Sequence, residues 1–441
     1  MIHRFGYFLK AIALVISVFS MCCASVTDIS TDQPDENEQK CHEYTLNNGV
    51  KVLLHEDFSM PVVVVSIVFH VGFRDCRIHQ CGIPEIIADN LVSTRLHRCF
   101  SDLGIVYSTN NSYECTSLTA RMQPKYIKNF FDLVGEFIRG VSLENFEICK
   151  KRLIIANKLD AIDPSWIVNS SIIFSVALAN GIPNYLPNNS AIDATTETDV
   201  LEFFREKYRD CPLSIVITGA ISSKILMKAL QSSIGKLADR KFLSVWENGA
   251  AEAKELSSGN SRDSSFRKNF GSAKTITRHL RQISTSVAYC HNIPTNGSSD
   301  DDTKFADVFL HVFLSEAAIA LVKTRLVERL YSQYYSPNTL VIRLLPKIYD
   351  GVRDLERNYE YFLSTMCSKN FSQEFLTKTS KAWGIDKLRM FCDLLRTNKQ
   401  LVINHVQGKD TQSIYTLEER IKDADPKLIN SFARRYFLQN L

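Results

Sequence analysis

The sequence predicts an α+β protein of two related domains, each a mainly antiparallel sheet covered by helices on one face. Three observations carry this. A chain of 441 residues exceeds what one hydrophobic core usually organises. Long β-branched runs alternate with pairs of helical patterns, without the regular spacing of βαβ units. A stretch at 250–274, rich in Ser, Gly, Asn, Lys and Arg and without apolar periodicity, separates two series of elements that follow a similar order. Composition fits a globular protein, with 45% hydrophobic and 23% charged residues. The net charge of +4 is small and its Lys and Arg are scattered, which excludes the basic footprint of a nucleic-acid binder.

The elements follow in order. Arg4 and Lys10 precede an apolar run at 11–21, and the small residues Ala24 and Ser25 follow it. That order predicts a secretory signal peptide at 1–25. The run is shorter than the roughly 20 residues of a membrane span, so no span is expected after cleavage. An uncleaved N-terminal anchor and a lipid-modified Cys22 are the alternatives. Export implies the periplasm in a bacterium with an outer membrane, and otherwise the secretory route or an organelle. Residues 26–43 are polar and acidic and are expected to form a flexible lead-in.

The N-terminal domain is expected at 44–240. From Tyr44, two short strands flank an Asn48-Gly49 turn, a strong hairpin signal. Pro61 opens a β-branched run to Gly72, long enough for a central strand buried on both sides. A helix is predicted over 84–98 with Pro84 in its first turn, then a strand over 115–122. Helices over 124–139, 143–160 and 197–209 lead to a buried strand at 214–219 and a helix at 222–234. The linker is placed at 241–274 and the C-terminal domain at 275–441. The latter is expected to hold a strand at 285–290, a long helix at 302–331, a strand at 339–345 and a final helix at 426–436.

The chain has twelve cysteines. Ten remain after the signal peptide, an even set that permits disulfides without showing them; none of these ten pairs with the C-x-x-C spacing of a zinc or redox site. Buried or idle thiols, with one or two bridges at most, are the expectation. Asn-x-Ser/Thr sequons occur at Asn110, Asn169 and Asn296.

Landmarks spread from Tyr44 to the C-terminus resemble those of one known family. Gly49-Val50-Lys51-Val52, the Pro61 strand and Val71-Gly72 look like the family's opening. Gly82-Ile83-Pro84 resembles the lead-in to its zinc helix. Phe203 to Tyr208 with Leu213 to Gly219 is similar to the end of its first domain, and Thr324-Arg325-Leu326 with Tyr335-Ser336 resembles pieces of its second. Together they resemble the insulinase/pitrilysin zinc peptidases, the family of the mitochondrial processing peptidase and the respiratory-complex core proteins, and the resemblance implies the processing-peptidase/LuxS-like metallohydrolase fold.

It also implies a site. The family motif His-x-x-Glu-His puts two zinc ligands on one helix face around a general base, and a Glu downstream completes the set. In this chain Glu85 and Asp89 stand in the histidine positions, Ala88 in that of the base, and Asn157 in that of the downstream ligand. Two carboxylates and an amide suit a hard cation rather than zinc, and Ala88 cannot move a proton. None of the ten histidines has another His at i+4, so no alternative zinc helix exists. The expected metal and cofactor complement is therefore none, zinc belonging to the active relatives, and the plain reading of the helix is a solvated acidic face. In active members an Arg and a Tyr of the second domain hold peptide and the developing oxyanion. Arg325 and Tyr335 are the candidates here, with Arg329 and Tyr334 competing. The apolar stretch at 310–323 lacks the glycine-rich loop of the processing peptidase's regulatory subunit.

The resemblance leaves three functions to weigh. The first is a non-catalytic, peptide-binding or regulatory subunit that binds unfolded peptide and pairs with an active relative as a heterodimer, or with itself as a homodimer. The second is a structural or binding protein of this fold with no peptidase partner. The third, an active metallopeptidase with non-standard ligands, is disfavoured by Ala88.

Overall fold

A computed structural model describes residues 41–160, 189–237, 274–278, 286–292, 300–323, 327–336, 339–346, 352–369 and 371–438. The predicted signal peptide, the lead-in up to residue 40 and the linker up to residue 273 lie outside the described residues. The strands are β1 (Cys41–Thr45), β2 (Lys51–Glu56), β3 (Val63–Phe69), β4 (Val106–Asn111), β5 (Thr116–Met122), β6 (Leu213–Gly219), β7 (Lys274–Arg278), β8 (Ser286–Asn292), β9 (Val327–Ser336) and β10 (Thr339–Pro346). In the first half the helices are α1 (Ile83–Asn90), α2 (Thr94–Asp102), α3 (Ile127–Arg139), α4 (Phe146–Asp160), α5 (Asn189–Ala194), α6 (Glu197–Phe203) and α7 (Ser223–Ser232). The second half adds α8 (Asp300–Lys323), α9 (Val352–Ser368), α10 (Gln373–Phe391), α11 (Leu394–Val406), α12 (Ser413–Lys422) and α13 (Pro426–Ala433). No described helix is long and apolar enough to cross a membrane.

The predicted α+β class holds. One sheet has the order β1-β2-β6-β3-β5-β4 and a second the order β7-β8-β10-β9. All pairings are antiparallel except β2 with β6. The Val-rich run becomes β3, central between β6 and β5 and buried along its whole length. Strand periodicity then divides its residues between two faces. Val63, Val65, Ile67 and Phe69 join Leu213, Ile215 and Ile217 of β6 in a large apolar core, closed by Ile86 and Ile87 of α1, Phe130 and Phe131 of α3 and Phe203 of α6. A second core gathers Phe309 and Phe313 of α8, Ile342 and Leu344 of β10, Tyr359 of α9, Ile421 of α12 and Phe432 of α13.

The structure corrects several expectations. Covering helices are not confined to one face of the first sheet: α11 packs on β3 and β6 from the other side. The helix expected at 84–98 is two helices, because the Ser93 side chain accepts from the Leu96 amide and restarts the chain as an N-cap. The helix expected to reach residue 331 stops at Lys323, and β9 follows. Residues 327–336 contain Val and three Tyr, and two residues separate them from a strand they can pair with, so local β preference and a hairpin partner prevail. Strand β4 was not expected, since Ser-Thr-Asn-Asn reads as loop. The lead-in ends sooner than residue 43, because Cys41 already pairs with His55, and Lys274 belongs to β7 rather than to the linker.

Candidate functional site

Helix α1 starts at Gly82, whose φ of 97° is a left-handed conformation that glycine tolerates. A Cβ there would sit 2.6 Å from Ile192 Cγ1 of α5 and 3.3 Å from Leu153 Cδ2 of α4, so the missing side chain also lets three helices meet. Pro84 fits the first turn, where no intrahelical amide partner is needed. The sequence thereby brings α1, which carries Glu85, Ala88 and Asp89, against α4, which carries Asn157.

Each of the four positions has an occupation of its own. Glu85 turns inward; its Oε2 is shielded from solvent and has no hydrogen-bond partner. Burial pushes its carboxyl up to about 7, against a lowering by its own backbone amide and with a further rise from Asp89. Ala88 is buried. Asp89 forms an ion pair with Arg152 of α4. Asn157, also buried, donates from Nδ2 to Asn189 Oδ1 of α5 at 3.1 Å. The expected solvated acidic face is thus only half realised: Asp89 is exposed, whereas Glu85 is half-buried with its carboxyl enclosed.

This set does not fit zinc. One carboxyl is held near neutrality inside the protein, the other is neutralised by a guanidinium, the amide is engaged by a second amide, and no imidazole is among them. Among the described residues, no three His, Cys, Asp or Glu side chains are grouped so as to hold a metal ion. The eight cysteines described at side-chain level, Cys41, Cys76, Cys81, Cys99, Cys115, Cys149, Cys211 and Cys392, are free thiols.

The second-domain candidates are only partly visible. Arg325 lies outside the described residues. Arg329, Tyr334 and Tyr335 lie on β9, where Leu340 pairs with Tyr334 and Thr339 with Ser336, leaving Tyr335 as the extra residue of a bulge.

Two features escaped the sequence reading. Strand β4 is the outermost strand of the first sheet and, among the described residues, pairs only with β5. Its residues alternate between exposed and half-buried, and α1 packs beside it. The other feature is a polar seam under α11. Ser66 Oγ donates to Asn398 Oδ1 at 2.6 Å, and Asn398 Nδ2 donates to the carbonyls of Val216 at 3.0 Å and Val64 at 3.4 Å. Ser214 Oγ lies 2.8 Å from His70 Nε2 and 2.7 Å from His405 Nε2. The signal was present in the strands: Ser66 and His70, like Ser214 and Thr218, recur four residues apart and therefore share one face.

No protein-family model matches the sequence, and no curated protein matches it by sequence. Solved structures do resemble it in fold. A protease from Helicobacter pylori superposes with a TM-score of 0.69 at 13% identity, covering 90% of this chain and 97% of that one. The first half of the periplasmic protease PqqL from Escherichia coli gives 0.65 at 12% identity, covering 91% and 90%. An inactive domain of an M16 peptidase from Pseudomonas fluorescens gives 0.64 at 11% identity, covering 90% and 95%. The chain thus shares the two-domain α+β fold of M16 peptidases, the insulinase/pitrilysin group, and of their inactive domains.

Proposed function

We propose that this chain is a catalytically inactive homologue of the insulinase/pitrilysin peptidases, exported from the cytoplasm, that binds unfolded peptide and pairs with a zinc-bearing relative. The observation that carries this is the outer edge of β4, unpaired beyond β5 among the described residues, beside a helix on which Asp89 is bound to Arg152 and the Glu85 carboxyl is enclosed. An outer strand presents a row of backbone donors and acceptors, and an extended peptide satisfies them by adding as a further strand. With Ala88 at the position of the base and Asp89 bound to Arg152, α1 lacks the base and the paired ligands by which the family activates water. The fold supports the pairing as well: this chain matches 47% of full-length PqqL, the length of one half. We place the domain boundary in 241–274 and assign the holding of peptide to Arg325 and Tyr335.

The test uses the purified full chain and a fluorescent unstructured peptide. Saturable binding without cleavage is expected, at zinc contents well below one equivalent. N-methylation of alternate peptide amides should abolish binding, because it removes the donors that strand addition needs. Cleavage by the chain alone, or undiminished binding of the N-methylated peptide, would refute the reading. Recovery of a relative bearing His-x-x-Glu-His from the native host is the expected result of affinity capture; recovery of no such relative would leave a binding protein without a peptidase partner.

A further inference from the structure

Helix α11 lies across the face of the first sheet that faces away from the large core. The apolar part of this seam is thin: Cys41, Leu53, Val216, Met390, Leu401 and Ile414 in one cluster, and Val68, Cys115 and Val406 in another. The rest is polar. Besides the Asn398 and Ser214 contacts, Thr218 Oγ1 donates to the Leu394 carbonyl at 3.0 Å, and Tyr415 of α12 bonds His55 Nδ1 at 2.9 Å. Three histidines, His55, His70 and His405, are therefore built into one joint.

The chemistry of the Ser214 bridge requires the imidazole that accepts its proton to be neutral. A serine hydroxyl has one proton, so it donates to one imidazole and accepts from the other. A proton added to the accepting ring turns it into a donor, and the Ser214 hydroxyl proton loses its acceptor while a charge is left in a buried joint. The surroundings of His70 add to the cost: burial first, then His405 on α11 and Arg74 just beyond β3, all oppose its charge and hold it at about 3. Burial holds His405 at about 4, with Glu43 of β1 favouring its charge and Lys51 of β2 opposing it. His55 is lowered by burial, with Asp57 acting against the shift and His42 of β1 adding to it. Beside the joint, each of the two large cores is closed by its own side chains.

We propose that this joint is an acid-operated latch, in which proton uptake by His70 and His405 releases α11 from the face of β3 and β6 while both large cores stay folded. The direction follows from linkage. A histidine depressed in the closed state binds more protons once released, so closure is favoured above about 6.5 and is lost as pH falls toward about 4. With two imidazoles taking up protons, the opening equilibrium rises by up to about 100-fold per pH unit within that window.

Hydrogen exchange of the full chain, corrected for intrinsic rates, tests this at pH 7.5, 6 and 5. Amides of α11 should lose protection by about 100-fold or more between pH 7.5 and 5, while those of α3 and α8 keep theirs. The double variant His70→Gln/His405→Gln, which keeps amide donors and acceptors but does not titrate, should show a nearly flat profile. If that variant fails to fold, His405→Gln alone should show about half the slope on a logarithmic scale. Unchanged protection of α11 at pH 5, simultaneous loss in both cores, or an unaltered slope in a folded variant would each overturn the proposal.

Discussion

The two faces of β3 and β6 are buried equally but by opposite means. Toward α1, α3 and α6 the strands present only aliphatic and aromatic side chains; toward α11 they present Ser66, His70, Ser214 and Thr218 among valines. Apolar burial is non-directional and tolerates small shifts, whereas each bond in the seam has a length and an angle to keep. The apolar face therefore supplies stability, and the polar face fixes where α11 sits and leaves the joint open to control by protonation.

Truncation on each face should measure that difference. Ile67→Ala, at a fully buried position of the large core, is expected to cost about 3–4 kcal/mol in denaturant unfolding, with no dependence on pH between 5 and 8. Asn398→Ala removes three hydrogen bonds and should cost about 2–3 kcal/mol, because the Val216 and Val64 carbonyls lose a donor in a dry site while Ser66 keeps only Thr119 as a partner. Its effect should also be local: α11 amides exchange faster while α3 amides keep most of their protection. Equal exchange losses at α3 and α11 in Asn398→Ala would show that the two faces form one cooperative unit.

Much of this contrast could be read from the strands before folding. The Val-rich run marked β3 as buried on both sides, and the period-2 placement of Ser66 and His70 marked one of those sides as polar. The partners could not be read, since Asn398 and His405 lie more than 300 and nearly 200 residues from the groups they bind. Strand β4 was hidden for a different reason: Ser108, Asn110 and Asn111 lack the strand preference of the Val106, Tyr107 and Thr109 beside them, and pairing with β5 at the sheet edge carries them into the strand. The helical spacing of Leu326 and Leu330 similarly masked β9. At the degenerate site the substitutions were legible residue by residue. Their present contacts were not, because Arg152 and Asn189 reach Asp89 and Asn157 across separate helices.

The same contrast between an enclosed and an exposed position occurs within α1, and Glu85 sharpens it. Its carboxyl is raised to about 7 by burial, so it binds a proton more readily folded than unfolded. Stability from this source is fully present below about 4.5 and is lost as pH rises through about 7. Glu85→Gln should therefore change little at pH 5 and stabilise the fold at pH 8, by up to about 3 kcal/mol. Thermal or denaturant unfolding at the two pH values decides it, and an equal effect at both would mean that the carboxyl is solvated.

The smallest effect is expected one turn further along the helix. Asp89 pairs with Arg152, but both side chains retain substantial exposure, at 31% and 62%. Water and salt screen such a pair, and holding two side chains together costs rotamer freedom, so exposed pairs contribute about 0–1 kcal/mol. Asp89→Asn should then destabilise by about 0.5 kcal/mol or less, and added salt should erase the difference. The value of the measurement lies in its pairing with Glu85→Gln: two acidic residues four apart on one helix, at the two positions where the family's histidines would bind one ion, should respond with opposite sign at pH 8. A ligand set evolved to share a cation would lose stability in both substitutions when a divalent ion is added to the wild type. Independent responses, unaffected by millimolar zinc or calcium, are what the enclosed Glu85 and the Arg152-bound Asp89 require.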